Sequence, residues 1–234
     1  MLLLSIHVDL PLINSVNTQS SSSVLLFTCG TSICIYCICI MAPKTALLVI
    51  DMQNFFASMT TAALPNIKKL VSFFQSISAP IIFTQHGHTK EELTTVPSPN
   101  QLVRKWGPDG SIARGSEDWQ LQDGIRQFLL DPEPGAWPRL VDKNTYDVFV
   151  NTDLARVLRE AGVERAVVCG VMTDCCCDTT ARAAFNRGYE TWLVSDACGS
   201  ANKTQHQAGL KAFGFAFGEV LTTREVLKAL KDSE

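Results

Sequence analysis

Histidine is scarce in this chain, four in 234 residues, and that shortage leaves little from which to build a zinc centre. Basic charge is not in excess either: 20 Lys and Arg stand against 23 Asp and Glu, a net charge of −3. No Lys/Arg block is present, so the chain has no electrostatic footprint for nucleic acid or for an anionic membrane surface. Before Lys44 there is no Lys or Arg, and Asp9 is the only charged residue. A secretory signal would need a basic segment near the start, and it is missing. Residues 24–41 are apolar over a length that a membrane span requires. The alternative, which we favour, is an extension over residues 1–40 that is disordered or lies outside the fold, with the alternating Cys and Ile of residues 34–40 also able to pair as an edge strand.

Nine cysteines are present, an odd number, clustered as Cys29, Cys34, Cys37 and Cys39 and then Cys169, Cys175, Cys176, Cys177 and Cys198. Three adjacent thiols do not make a disulfide framework. They point to a reducing compartment in which thiols serve packing or chemistry, hence to a cytoplasmic protein. A membrane-anchored or secreted location through the N-terminal segment is the alternative.

What the chain does have, from residue 45 onward, is an alternation of short apolar runs with helical patterns. The runs lie at 46–50, 80–83, 139–141, 166–169, 191–194 and 218–221. Between them, residues 64–78, 154–161, 179–186, 205–213 and 224–231 repeat apolar residues near the helical period. Gly162 and Gly188 stand where two of these helices would stop. Continuous apolar strands separated by helices predict an α/β domain over residues 44–234, a three-layer α/β/α sandwich on a mostly parallel, Rossmann-like sheet of six strands. Residues 86–138 break the rhythm with Pro, Gly and charge. Such an excursion either shapes a substrate site or is a disordered loop.

Three reactive groups fall at strand ends that face one side of such a sheet, where ligands bind. Asp51 follows the first run, Lys143 ends the third, and Cys176 begins the helix after the fourth. A thiol beside a cation or at a helix N-terminus loses its proton more easily. Lys143 would supply that cation, and Asp51 could take the thiol proton and pass it to a leaving amine. Each residue also has a plainer role: Asp51 as a turn residue, Lys143 as a surface charge, the cysteines as small packed hydrophobes. Successive helical residues point about 100° apart, so only one of Cys175, Cys176 and Cys177 can face a given site. Position alone leaves open which.

The motifs resemble those of the isochorismatase-like cysteine hydrolases, which include nicotinamidases and N-carbamoyl amide hydrolases. Val49-Ile50-Asp51-Met52-Gln53-Asn54, with an aromatic at Phe56, is similar to the family's opening motif. Lys143-Asn144-Thr145-Tyr146-Asp147-Val148-Phe149 is similar to its lysine motif, and Gly170-Val171-Met172-Thr173-Asp174-Cys175-Cys176-Cys177-Asp178 to its nucleophile motif. The resemblance implies that Cys176 is the nucleophile, that Val171 and Met172 are joined by a cis peptide, and that the backbone N–H groups of Met172 and Cys176 form an oxyanion hole. It also implies a homo-oligomer, a dimer or tetramer. The family's metal site is a carboxylate with histidines after the second strand. Here that position reads Thr84-Gln85-His86-Gly87-His88, with His86 in the acidic place and one matching histidine missing, so we expect no metal and no other cofactor.

The reading that results is a hydrolase that cleaves the C–N bond of a small amide or carbamoyl compound through a cysteine thioester, with Phe56, Trp106 and Met172 lining its pocket. One alternative is hydrolysis of isochorismate, a vinyl ether, with Asp51 as acid and Cys176 dispensable. Another is a catalytically silent binding or effector module.

Overall fold

The computed structural model describes residues 23–29, 32–38, 44–130 and 137–232. The chain divides into a unit made of Met1–Ala42 with Lys231–Glu234 and a unit spanning Pro43–Leu230. In the first, β1 (Ser23–Cys29) and β2 (Ser32–Ile38) pair antiparallel as a two-stranded sheet. The apolar stretch considered above as a membrane span is thus strand over its described part. Among the described residues no helix is long and apolar enough to cross a membrane. What was expected of residues 1–22 lies outside the described residues.

The second unit holds six strands: β3 (Thr45–Ile50), β4 (Ile81–His86), β5 (Arg139–Lys143), β6 (Arg165–Val171), β7 (Glu190–Gly199) and β8 (Glu219–Leu221). Their order is β5-β4-β3-β6-β7-β8 and every neighbouring pair is parallel. The fold class read from the sequence is therefore the observed one, with a sheet that is wholly rather than mostly parallel. β3 and β6 are buried along their whole length, as strands covered on both faces must be.

β4 and β7 run further than their apolar runs. The continuation of β4 through Thr84, Gln85 and His86 is polar yet buried, because those side chains meet other polar groups at the strand end. β7 continues through Ser195 and Asp196, and its pairing with β6 shifts register between Val168 and Gly170.

Helices occupy Leu64–Ser76, Leu154–Glu160, Asp178–Phe185, Lys203–Ala216 and Thr223–Lys231. The first buries Ile67, Leu70, Val71 and Phe74, the i, i+3, i+4, i+7 spacing of one helical face. From β3 the chain steps outward to β4 and β5, then returns to start β6 on the other side of β3. Strand crossovers are right-handed, so this reversal sends helices to opposite faces and opens a crevice at the carboxyl ends of β3 and β6.

The excursion after β4 is ordered over its described residues. It contains short helices at Lys90–Thr94, Gln101–Trp106 and Asp123–Arg126, the first opened by a reciprocal cap between Thr89 and Glu92. Buried Gln53 ties it down: its side-chain amide donates to the carbonyls of His86 and Trp119, and its Oε1 accepts from the His86 N–H. Gln85 donates to the same Trp119 carbonyl. Buried amide side chains thus pair the backbone groups that a loop would otherwise leave open.

Candidate active site

The reversal of strand order brings Asp51, Lys143 and Cys176 together. Asp51 leaves β3 with φ of 49°, a left-handed turn that directs its carboxylate back under the strand ends. Its Oδ2 lies 2.6 Å from Lys143 Nζ, delivered by the last residue of β5. Its Oδ1 accepts from Thr84 Oγ1 at 2.5 Å. Lys143 Nζ also donates to the Thr145 carbonyl at 3.0 Å and lies 3.5 Å from Cys176 Sγ. Both charged side chains are fully buried.

Cys176 sits in a wide turn, Thr173–Cys177, that leads into the Asp178–Phe185 helix. Such single π-turns concentrate at functional sites. The N–H groups of Cys175 and Cys177 both donate to the Met172 carbonyl, so the chain coils tightly about Met172, which is joined to Val171 by a cis peptide. Before the turn, Gly170 has φ of 118°, and a Cβ there would lie 2.1 Å from the Ile50 carbonyl oxygen. Glycine is required at that contact with the strand that carries Asp51.

The electrostatics differ from the expected activated thiolate. Burial pushes the Cys176 thiol well above the usual thiol range; Lys143 pulls it down, while Asp51 pushes it up and accepts its hydrogen bond. Burial likewise disfavours the Lys143 ammonium, but Asp51 and then Cys176 outweigh it and hold its pKa above the usual lysine value. The resting cluster is a thiol, a carboxylate and an ammonium.

A cavity of about 300 Å³ opens on Cys176. Phe56 and Met172 form part of its wall, and so does Trp106 at the rim, where it is half exposed. The Trp106 indole N–H donates to the Tyr146 hydroxyl at 2.8 Å. Phe55, Met59, Ile112 and Tyr146 add to a largely apolar lining that has no Lys or Arg among its described residues. The sequence reading missed these four, and it missed Thr84. Tyr146 was within reach, since it lies in the lysine motif; Ile112 and Met59 carry no local signal.

His86 and His88 line the same cavity, with their Nε2 atoms 3.1 Å apart. Burial and then Lys143 lower the His86 pKa to about 3, and burial lowers that of His88. Both imidazoles are neutral at ordinary pH. The carboxylate nearest His88, Glu92, is 3.6 Å from its Nδ1, on the far side of the ring from His86. Two imidazoles with no third donor beside their Nε2 atoms fall short of the three protein ligands a catalytic zinc takes, and no group of three or more metal-ligating side chains occurs among the described residues. The pair does not fit a resident metal.

The Isochorismatase domain profile matches residues 45–225. Nicotinamidase 3 of Arabidopsis thaliana is 36% identical over 174 residues, covering 74% of this chain and 82% of its own. Ureidoacrylate amidohydrolase of Serratia proteamaculans is 28% identical over 195 residues, 71% of each chain. Among solved structures, a cysteine hydrolase from Pseudomonas syringae pv. phaseolicola superposes with a TM-score of 0.68 at 29% identity, over 82% of this chain and 94% of the other.

Proposed function

The chain belongs to the isochorismatase family, and from that premise we propose that it hydrolyses the C–N bond of a small, uncharged, planar carboxamide through a thioester on Cys176. The observation that carries this reading is the buried Asp51–Lys143–Cys176 cluster at the base of an aromatic cavity whose described lining holds no Lys or Arg.

Asp51 serves as the base. As substrate enters, the Cys176 thiol gives its proton to Asp51 and the sulfur attacks the amide carbon. The carbonyl oxygen gains negative charge, which the backbone N–H groups of Met172 and Cys176 receive, a contribution of about 2.7–4 kcal/mol per donor in comparable sites. Asp51 returns the proton to the amide nitrogen, the C–N bond breaks, and ammonia leaves. Water then attacks the thioester, giving a proton to Asp51. The C–S bond breaks and the proton returns to sulfur, releasing the acid and restoring the thiol. Lys143 holds the Asp51 carboxylate in place and offsets the charge that develops on Cys176.

The cavity selects the substrate. Among the described residues its lining carries no Lys or Arg, the neighbouring Lys143 is already paired with Asp51, and burial disfavours the charged forms of His86 and His88. A substrate carboxylate would lose its hydration with no cation in return. An aromatic carboxamide, the class to which the nicotinamide of the Arabidopsis relative belongs, meets Phe55, Phe56 and Tyr146 and keeps only the amide to be hydrogen-bonded. A ureido acid, or the dianionic isochorismate, suits this lining less well.

The activity is assigned to residues 44–234, with residues 1–40 taking no part in it, and to a homo-oligomer in a reducing, cytoplasmic setting. The cysteines of the catalytic unit, Cys169, Cys175, Cys176, Cys177 and Cys198, are all free. The test is ammonia release from aromatic carboxamides, from carboxylate-bearing ureido compounds and, in a separate assay, loss of isochorismate, each with wild type and Cys176→Ser. Turnover of the carboxamides that vanishes in the variant is expected. Isochorismate cleavage at equal rate by both proteins would overturn the thioester mechanism.

A further inference from the structure

We propose that Thr84 is the positioning residue of the reaction: its hydroxyl clamps Asp51 in the one orientation from which the carboxylate can take the Cys176 proton. This rests on Asp51 being the base, as set out above.

The hydroxyl makes two bonds to one residue. It accepts the Asp51 backbone N–H at 3.0 Å and lies 2.5 Å from Asp51 Oδ1. A hydroxyl has a single proton, and a carboxylate oxygen can only accept. With the backbone N–H donating to Oγ1, the hydroxyl proton is committed to Oδ1. The two bonds close a ring through the Asp51 backbone and side chain, which fixes the side-chain rotation at a residue whose φ is already 49°. Lys143 Nζ holds the other oxygen at 2.6 Å. Both carboxylate oxygens are therefore anchored, one from each of the neighbouring strands β4 and β5, and the lone pair left for Cys176 has a defined direction.

Thr84 has no other visible task. It is buried, it is not among the residues lining the cavity, and the strand position it fills, paired with Val141, would accept any β-branched side chain. Valine has the same shape without the hydroxyl. A buried strand that chooses threonine over valine gives up apolar burial, and the return on that choice is the pair of bonds to Asp51.

Because Thr84 touches Asp51 and not substrate, its loss should fall on the chemical step alone. The experiment measures kcat, KM and melting temperature for Thr84→Val, Thr84→Ser and Asp51→Asn with an aromatic carboxamide. The expected result is a kcat lower by about 10- to 100-fold in the valine variant with KM within about twofold, and a serine variant within about threefold of wild type. Should the valine protein fail to fold, Thr84→Ala removes the hydroxyl without adding a methyl and is judged by the same criteria. Positioning by the hydroxyl is overturned if the folded valine or alanine variant keeps wild-type kcat, if KM rises as much as kcat falls, or if serine loses as much as valine. Asp51→Asn separates the two claims. An inactive asparagine variant beside an unimpaired valine variant removes only the role of Thr84, whereas an active asparagine variant removes Asp51 as base and the role of Thr84 with it.

Discussion

Lys143 Nζ and Asp51 Oδ2 meet at 2.6 Å with both side chains fully withdrawn from water, so each charge depends on the other. Removing one partner of such a pair costs about 3–5 kcal/mol. Lys143→Met should therefore lower the melting temperature as well as abolish turnover. Lys143 has its pKa raised above 10.5 in the fold, so its stabilisation is complete below that pH and is lost as the pH climbs through the folded value. Urea titrations of wild type should show an added loss of stability as the pH climbs beyond 10.5, on top of the decline that the buried thiols begin above pH 9, and the methionine variant should lack that added part of the alkaline slope.

Cys176 should be slow towards a general thiol reagent. Burial keeps its proton on at neutral pH, against the pull of Lys143, and only the thiolate reacts. Methyl methanethiosulfonate, followed by peptide mass spectrometry, should modify Cys176 at least about tenfold more slowly at pH 7 than free cysteine. The rate should still be climbing beyond pH 9, the ordinary thiol value. A plateau below pH 7 would mean that Lys143 overcomes burial and that the resting group is a thiolate.

His86 makes the fold sensitive to acid. Its pKa drops from 6.5 to about 3, chiefly through burial, so the unfolded chain binds a proton that the folded one refuses. Stability from this residue is present above pH 6.5 and is lost as the pH falls towards 3, a total of roughly 5 kcal/mol. Guanidinium titrations over that range should show a shallower acid slope in His86→Gln than in wild type. Equal slopes would place the acid sensitivity elsewhere.

Tyr146 and Trp106 hold each other at the cavity rim through a bond of 2.8 Å. Tyr146→Phe removes the acceptor and frees the indole while keeping the ring. With a net value of about 0.5–1.5 kcal/mol for such a bond, KM for an aromatic carboxamide should rise about two- to tenfold with kcat little changed. A kcat loss larger than the change in KM would instead assign Tyr146 to the chemical step.

The sheet was legible because its strands are continuous apolar runs, and the helices because residues such as Ile67, Leu70, Val71 and Phe74 repeat at the helical period. Strand ends were not, since Thr84, Gln85 and His86 look like loop residues until Asp51, the Trp119 carbonyl and Gln53 are seen to receive them. Residue spacing placed Asp51, Lys143 and Cys176 on one edge, but only the family resemblance chose among three adjacent cysteines. Thr84 was missed because it falls just past the apolar run at 80–83, where a threonine reads as an ordinary residue of a strand end or turn. Ile112 was missed because a wall drawn from an excursion has no periodicity to detect, and Met59 because it lies in a helix of four residues, Ala57–Thr60, too short to show one.

Gly170 presses the backbone of β6 against Ile50 so closely that no Cβ fits between them. The gauge between the strand bearing Asp51 and the strand leading to Cys176 is thus set by main chain on main chain, not by side chains that vary in size. Hydrophobic residues elsewhere in the core can drift over generations, altering how firmly the protein folds, while the spacing of the reacting groups stays the same. The excursion stands apart from that contact, so Trp106 and Ile112, which it supplies to the cavity wall, can be exchanged without disturbing the gauge.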